Sequence, residues 1–383
     1  MNIVPKIASI VFPALLSFCL IQQVGINLNN DNLPMNTNVI DGPYVLYRND
    51  SVYVKYIESY IGIKSVRTET TPIGMRDNIS LLVNTDEPGK TLSVVLKPKN
   101  SIEKAECGRV KKMLVLSDIE GNFAAFRKLL QGNKVIDENF NWTFDKGHLV
   151  LIGDFVDRGT MVTEVLWLIY SLEEKAKAAG GQVHYILGNH ELMNMSGELK
   201  YVNGRYLEHA ALMNRPYMHL FGPDTEIGRW LATKNVVERI GDILFTHGGI
   251  SGYVNYLQIS LKELNEMVRP FYTDSTYKFP NARLEILFSE YGPFWYRGYY
   301  SGSPKATMEQ IDSTLSFYSV SYITTGHTII NDNISSLYGG KIINTDMHHA
   351  GGHSEALLVE NGKFFRVNAA GEQFPVISLP VSN

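Results

Sequence analysis

His148-Leu-Val-Leu-Ile-Gly-Asp154-Phe-Val-Asp157-Arg158-Gly159 decides the fold. Leu149 to Ile152 is an unbroken aliphatic run without polar alternation, the composition of a strand covered on both faces. At Gly153 it gives way to two acids and an arginine, groups that carry chemistry rather than packing. Four further runs share this build: Met113-Leu-Val-Leu-Ser-Asp118, Val183-His-Tyr-Ile-Leu-Gly-Asn189-His190, Ile243-Leu-Phe-Thr-His247 and Tyr322-Ile-Thr-Thr-Gly-His327. Between the first three lie Asn122 to Gln131 and Thr163 to Ala179, both with helical apolar spacing. Strand, helix, strand specifies an α/β sheet, whose ligands collect beyond the carboxyl ends of the strands. Five polar tips are therefore expected at one edge.

Working outward, the chain has 383 residues, more than a typical single domain. Residues 1–30 read as a signal peptide or N-terminal anchor, with Lys6 before the mostly apolar Ile7 to Val24. Residues 31–111 read as a β-rich N-terminal extension, and 112–375 as the catalytic domain. Val45 to Tyr47, Ser51 to Tyr56 and Leu92 to Leu96 are the extension's strand-like runs, separated by turn-forming residues. The start places the protein in the periplasm or outside the cell, with a membrane as partner only if the segment stays uncleaved. A formal charge of -4 offers no basic field, so nucleic acid is not an expected partner. Cys19 and Cys107 make neither a disulfide framework nor a thiolate metal spacing.

The five tips, Asp118, Asp154, Asn189, His247 and His327, form a mixed carboxylate, amide and imidazole set. It suits a pair of divalent ions such as Mn, Fe, Zn or Mg better than a thiolate zinc site. Two ions sharing a carboxylate and a water make a nucleophilic hydroxide for in-line attack on phosphorus while clamping the phosphoryl oxygens. Two long inserts, about 198–238 and 251–306, are expected to overhang this edge. Their aromatic side chains would suit an aryl phosphate, and would equally suit core packing. His348, His349 and His353 crowd one later loop and receive no metal assignment, because the five tips already fill the expected sites.

Gly153-Asp154-Phe-Val-Asp157-Arg158-Gly159, Gly188-Asn189-His190-Glu191 and Gly326-His327 resemble the calcineurin-like metallophosphoesterases. Their phosphoprotein phosphatase branch is the nearer match, and the tyrosine-directed Shewanella-like phosphatases nearer still. The resemblance covers roughly Lys112 to Val367. It implies a two-sheet αββα sandwich and a phosphomonoesterase acting on phosphorylated protein or peptide, phosphotyrosine in particular. Position by position, it implies Asp118 and Asp154 on a first metal, Asp154 as the bridge, and Asn189, His247 and His327 on the second. His190 would be the general acid, Asp157 its orienting partner, and Arg158 a phosphate clamp. Arg297 is the expected second clamp, or else a surface cap, with Arg205 a weaker competitor.

The departure is Asp118-Ile119-Glu120-Gly121, where the family has Asp-x-His-Gly. Glu120 either supplies an oxygen ligand in place of the histidine, or leaves the first metal short of one and faces solvent. Two rival functions stay open: a dinucleotide polyphosphate or nucleotide hydrolase, and a metal-poor pseudophosphatase that binds phosphorylated ligands.

Overall fold

Alternate residues of the deciding strands face two different cores. Met113, Val115, Val150, Ile152 and Ile186 pack against Ile240, Ile243, Phe245 and Ile343 of a second sheet. Leu114, Leu116, Leu149 and Leu151 turn outward onto helices with Phe126, Leu129, Val165 and Ile169. A period of two with both faces buried is what the unbroken aliphatic runs require. Each fully buried side chain of this kind contributes about 1.5–3 kcal/mol.

The computed structural model describes residues 38–381. The leader or anchor read over residues 1–30 and the start of the extension lie outside the described residues. The first sheet runs Gln373–Pro375, Lys363–Asn368, Glu355–Glu360, Lys112–Leu116, His148–Ile152, Gln182–Ile186, the last three parallel. The second runs Ile377–Ser378, Ser335–Leu337, Ile342–Asn344, Tyr322–Thr325, Ile243–Thr246, Val237–Ile240, Glu106–Cys107. Helices Phe123–Gly132 and Val162–Ala178 cross between the parallel strands of the first sheet, and Met308–Tyr318 precedes Tyr322–Thr325 in the second. The expected αββα sandwich is present.

The five tips come from both sheets, three from the first and two from the second. Short helical crossovers keep the first three strands in one sheet, whereas the long inserts separate the last two strands from them.

The strands expected in the extension form. Asn38–Arg48, Ser51–Tyr60 and Ile63–Pro72 make an antiparallel sheet, and Ser80–Asn84 pairs with Thr91–Val95. They share a core with the helix Val162–Ala178, where Trp167 Nε1 donates to the Pro43 carbonyl at 2.8 Å and Lys97 N to Tyr170 Oη at 2.7 Å. Glu226, from the first insert, is buried and accepts from Tyr170, Asn100, Arg76 and Tyr47. Glu106–Cys107 pairs in parallel with Val237–Ile240, so this segment also completes an edge of the second sheet.

Candidate active site

Backbone strain marks the loops beyond the strands. Asp118, Glu120, Asp154, Asp157, Arg158 and His327 all have positive φ, between 49° and 70°, in loops immediately beyond three of the strand ends. Non-glycine residues held there cost free energy that the surrounding packing must offset. Two glycines allow the loops to close: a Cβ at Gly326 would lie 2.3 Å from Asp118 Oδ2, and one at Gly188 would lie 2.2 Å from Asp154 Oδ1. The Gly-His and Gly-Asn-His patterns follow from these approaches.

Asp154 is the hub. Its backbone N–H donates to Glu191 Oε2 at 2.9 Å, and its Oδ1 accepts from His190 N at 2.9 Å. Oδ2 lies 3.0 Å from His247 Nε2. Burial alone would raise this carboxyl, but the His247 and His190 imidazoles outweigh it and hold Asp154 below the usual range. Glu191, fully buried, accepts from the N–H groups of Asp154, Phe155 and Gly188 and from Tyr185 Oη. Its place in the Gly-Asn-His-Glu run is thus bracing.

The imidazoles are oriented by backbone carbonyls. His247 Nδ1 donates to Ile152 O at 2.7 Å, which points Nε2 at Asp154 and, at 3.0 Å, at Asn189 Oδ1. His327 Nε2 donates to Trp295 O at 3.1 Å, which leaves Nδ1 as its lone-pair atom. Ligand atoms of Asp154, His247 and His327 all lie within 4.8 Å of one another. Second partners that fix a tautomer in this way are what metal-binding histidines use, so this donor set fits a divalent ion. Burial would lower His247, but Asp154 outweighs it and raises the ring to about 9, whereas burial and His247 push His327 down. The proton on His247 Nε2 stands where a cation would bind.

Asp118 reaches the group from the first strand, accepting from His327 N at 3.2 Å. His190 Nδ1 meets Asp157 Oδ2 at 2.7 Å, and Asn194 Nδ2 holds the other oxygen at 2.8 Å. Burial would lower His190; Asp154 and the Asp157 hydrogen bond outweigh it and raise it to about 9.

Asp118, Glu120, Asp154, Arg158, His190, Arg297 and His327 line one cavity of about 600 Å³. Arg297 donates to the His327 carbonyl at 2.6 Å and to Thr328 Oγ1 at 2.9 Å. Arg205 is elsewhere, tying Thr160 O and Ile40 O together. Glu120 lines the same cavity as Asp154. Its carboxylate pairs with the Arg158 guanidinium, the nearest strong cation on the same rim.

Among the insert aromatics, Tyr206 and Tyr217 are core, whereas Tyr201 lies 4.9 Å from the His190 ring and beneath Arg158. His349 is buried, bonded to Ser117 O and Ser354 Oγ. Asp346 also lines the cavity and was not singled out in the sequence. Its signal was there: Asn344-Thr-Asp346 follows an apolar run, as the other tips do. The Cys107 thiol is pushed up by burial and Glu238, the reverse of a nucleophile's need.

Residues 111–331 match the family model described as calcineurin-like phosphoesterase. The chain belongs to the calcineurin-like phosphoesterase family. This phosphoesterase superposes on the crystal structure of a cold-active protein-tyrosine phosphatase of a psychrophilic Shewanella species with a TM-score of 0.78. The two are 34% identical, over 88% of this chain and 99% of that one. It is also 26% identical to Shewanella-like protein phosphatase 1 of Plasmodium berghei, over 57% of this chain and 61% of that protein, under two thirds of its length. Shewanella-like protein phosphatase 2 of Arabidopsis thaliana is 24% identical, over 68% of this chain and 76% of that protein.

Proposed function

We propose that this phosphoesterase is a dinuclear-metal phosphomonoesterase acting on phosphorylated protein, with phosphotyrosine the preferred residue. The observation that carries this reading is the cavity lined by Asp118, Asp154, His190 and His327 with Arg158 and Arg297 on the same walls, behind which His247 meets Asp154. Asp118 and Asp154 would hold one ion, and Asp154, Asn189, His247 and His327 the other. Nitrogen and oxygen donors without thiolate suit Mn, Fe, Zn or Mg. When bound, such a pair supplies Lewis acidity toward the phosphoryl oxygens and acidifies a water.

The chain's own groups do the rest. Guanidinium forks on Arg158 and Arg297 match two phosphoryl oxygens each and orient the ester. With Nδ1 held by Asp157, His190 carries its proton on Nε2, ready for the leaving oxygen. Asp157 keeps that role when Asp154 is engaged by cations. A tyrosyl oxygen, with a pKa of about 10, leaves readily. Tyr201 beside His190 offers a ring to a phenyl group, and a second cavity of about 370 Å³, walled by Tyr277, Phe288, Tyr291 and Trp295, shares Arg297. The protein-tyrosine phosphatase named for the Shewanella structure supports the same substrate.

Phosphate release from a phosphotyrosine peptide, a phosphoserine peptide and a diadenosine polyphosphate, with and without chelator, tests the reading. Chelator-sensitive release, fastest from the phosphotyrosine peptide, is expected. Faster turnover of the polyphosphate would favour a nucleotide hydrolase, and no turnover with metal present would favour a binding protein. Export is part of the proposal, tested by the N-terminus of the protein recovered from the periplasm or medium.

A further inference from the structure

With Arg158 holding the Glu120 carboxylate, the Asp-x-His-Gly position offers the first ion no histidine beside Asp118 and Asp154. The loop after Ile342–Asn344 supplies another acid. That strand runs parallel to Tyr322–Thr325 with Thr325 opposite Asn344, so Asp346 stands at the same level beyond the sheet as His327. Thr345 fixes the loop: its N–H donates to Thr325 O at 2.8 Å, and its hydroxyl meets Ser117 Oγ at 3.0 Å. Ser117 precedes Asp118. The two neighbouring hydroxyls therefore set Asp346 and Asp118 side by side at the mouth of both sheets.

Asp346 is 6% exposed and lines the cavity shared by Asp118, Asp154 and His327. Among the described residues no hydrogen bond or ion pair closes on its carboxylate. Its charged neighbours are Glu120 and Asp154, then Arg297 and Arg158. Carboxylates that line one cavity repel one another until a cation joins them. We propose that Asp346 is the missing ligand of the first ion, taking the place that the family gives to histidine. Glu120 is left to position Arg158. The inference rests on the dinuclear reading above.

The test uses Mn²⁺ as the probe, with stoichiometry from calorimetry and the electron paramagnetic resonance spectrum as readouts that do not depend on turnover. Wild type and Glu120→Gln are expected to bind two ions per chain with an exchange-coupled spectrum. Asp346→Asn is expected to bind one, or to bind the second at least tenfold more weakly, with an uncoupled signal. The same substitution relieves repulsion in the metal-free protein, so its melting temperature without metal is expected to rise; a residue needed only for the loop would lower it. Asp346→His, which restores a ligand, is expected to recover the coupled spectrum. Two tightly bound ions in Asp346→Asn with wild type also binding two would overturn the proposal alone, as would loss of the second ion in Glu120→Gln. Fewer than two ions in wild type would overturn the dinuclear reading, and this proposal with it.

Discussion

Two groups in this molecule have almost the same composition: Asp154 with His247 and His327, and Glu103 with His184 and Glu238. In the second, the polar atoms satisfy one another. His184 meets Glu238 Oε2 at 2.7 Å through Nδ1 and His148 at 2.9 Å through Nε2. Glu238 Oε1 accepts from Asn235 at 2.8 Å, and Glu103 takes Gln182 at 3.0 Å and Lys234 at 3.8 Å. The first group turns two imidazoles toward one carboxylate, beside a cavity with two arginines. Residue types alone do not make a site; groups aimed at a shared point beside an open cavity do.

The largest expected effect comes from breaking the hub. Asp154→Asn should reduce phosphate release by about 10³-fold or more, since several kcal/mol of transition-state stabilisation depend on charge at that point. Glu238→Gln should leave turnover and bound metal unchanged while lowering stability by about 1–3 kcal/mol, because one of two buried partners loses its acceptor. Equal activity losses from both substitutions would erase the distinction between the clusters.

His190→Asn sharpens the comparison inside the active group. Loss of a positioned acid should slow seryl phosphate hydrolysis by about 10²-fold or more and nitrophenyl phosphate hydrolysis much less, because the nitrophenolate leaves without a proton. Steady-state kcat on both substrates decides it. Equal losses would assign the His190 and Asp157 pair a structural role.

The strands and the two crossover helices were readable because burial on both faces writes itself as an aliphatic run, and because each run ends in a chemical residue. Motif residues Asp118, Asp154, Asn189, His190, His247 and His327 meet as their strand-end positions required. Less was visible where tertiary partners decide. Nothing local shows that Glu120 would find Arg158, since the pair depends on two left-handed turns from separate strands. Asp346 was hidden by the three histidines after it, and its significance lies in the donors it lacks. The extension looked separate because its strands alternate normally; that Trp167 and Tyr170 cover it emerges only from the packing of a distant helix.

The smallest effect concerns the closed cluster and its response to acid. Burial, and then His184, push His148 down to about 4, against about 6.5 for an unfolded histidine. Between those values the unfolded chain binds the proton and the folded chain does not, so stability rises with pH through this window. The contribution is complete above about 6.5 and is lost as pH falls toward about 4. His148→Asn keeps a donor toward His184 but cannot titrate. Melting temperatures of wild type and variant from pH 7 to pH 4 should therefore converge on acidification, with wild type falling more steeply. The difference in slope is at most that of one proton, about 1.4 kcal/mol per pH unit, reduced by the solvent that reaches part of the ring. Parallel curves would mean that His148 is free to protonate in the fold, and that the second cluster is open to a cation after all.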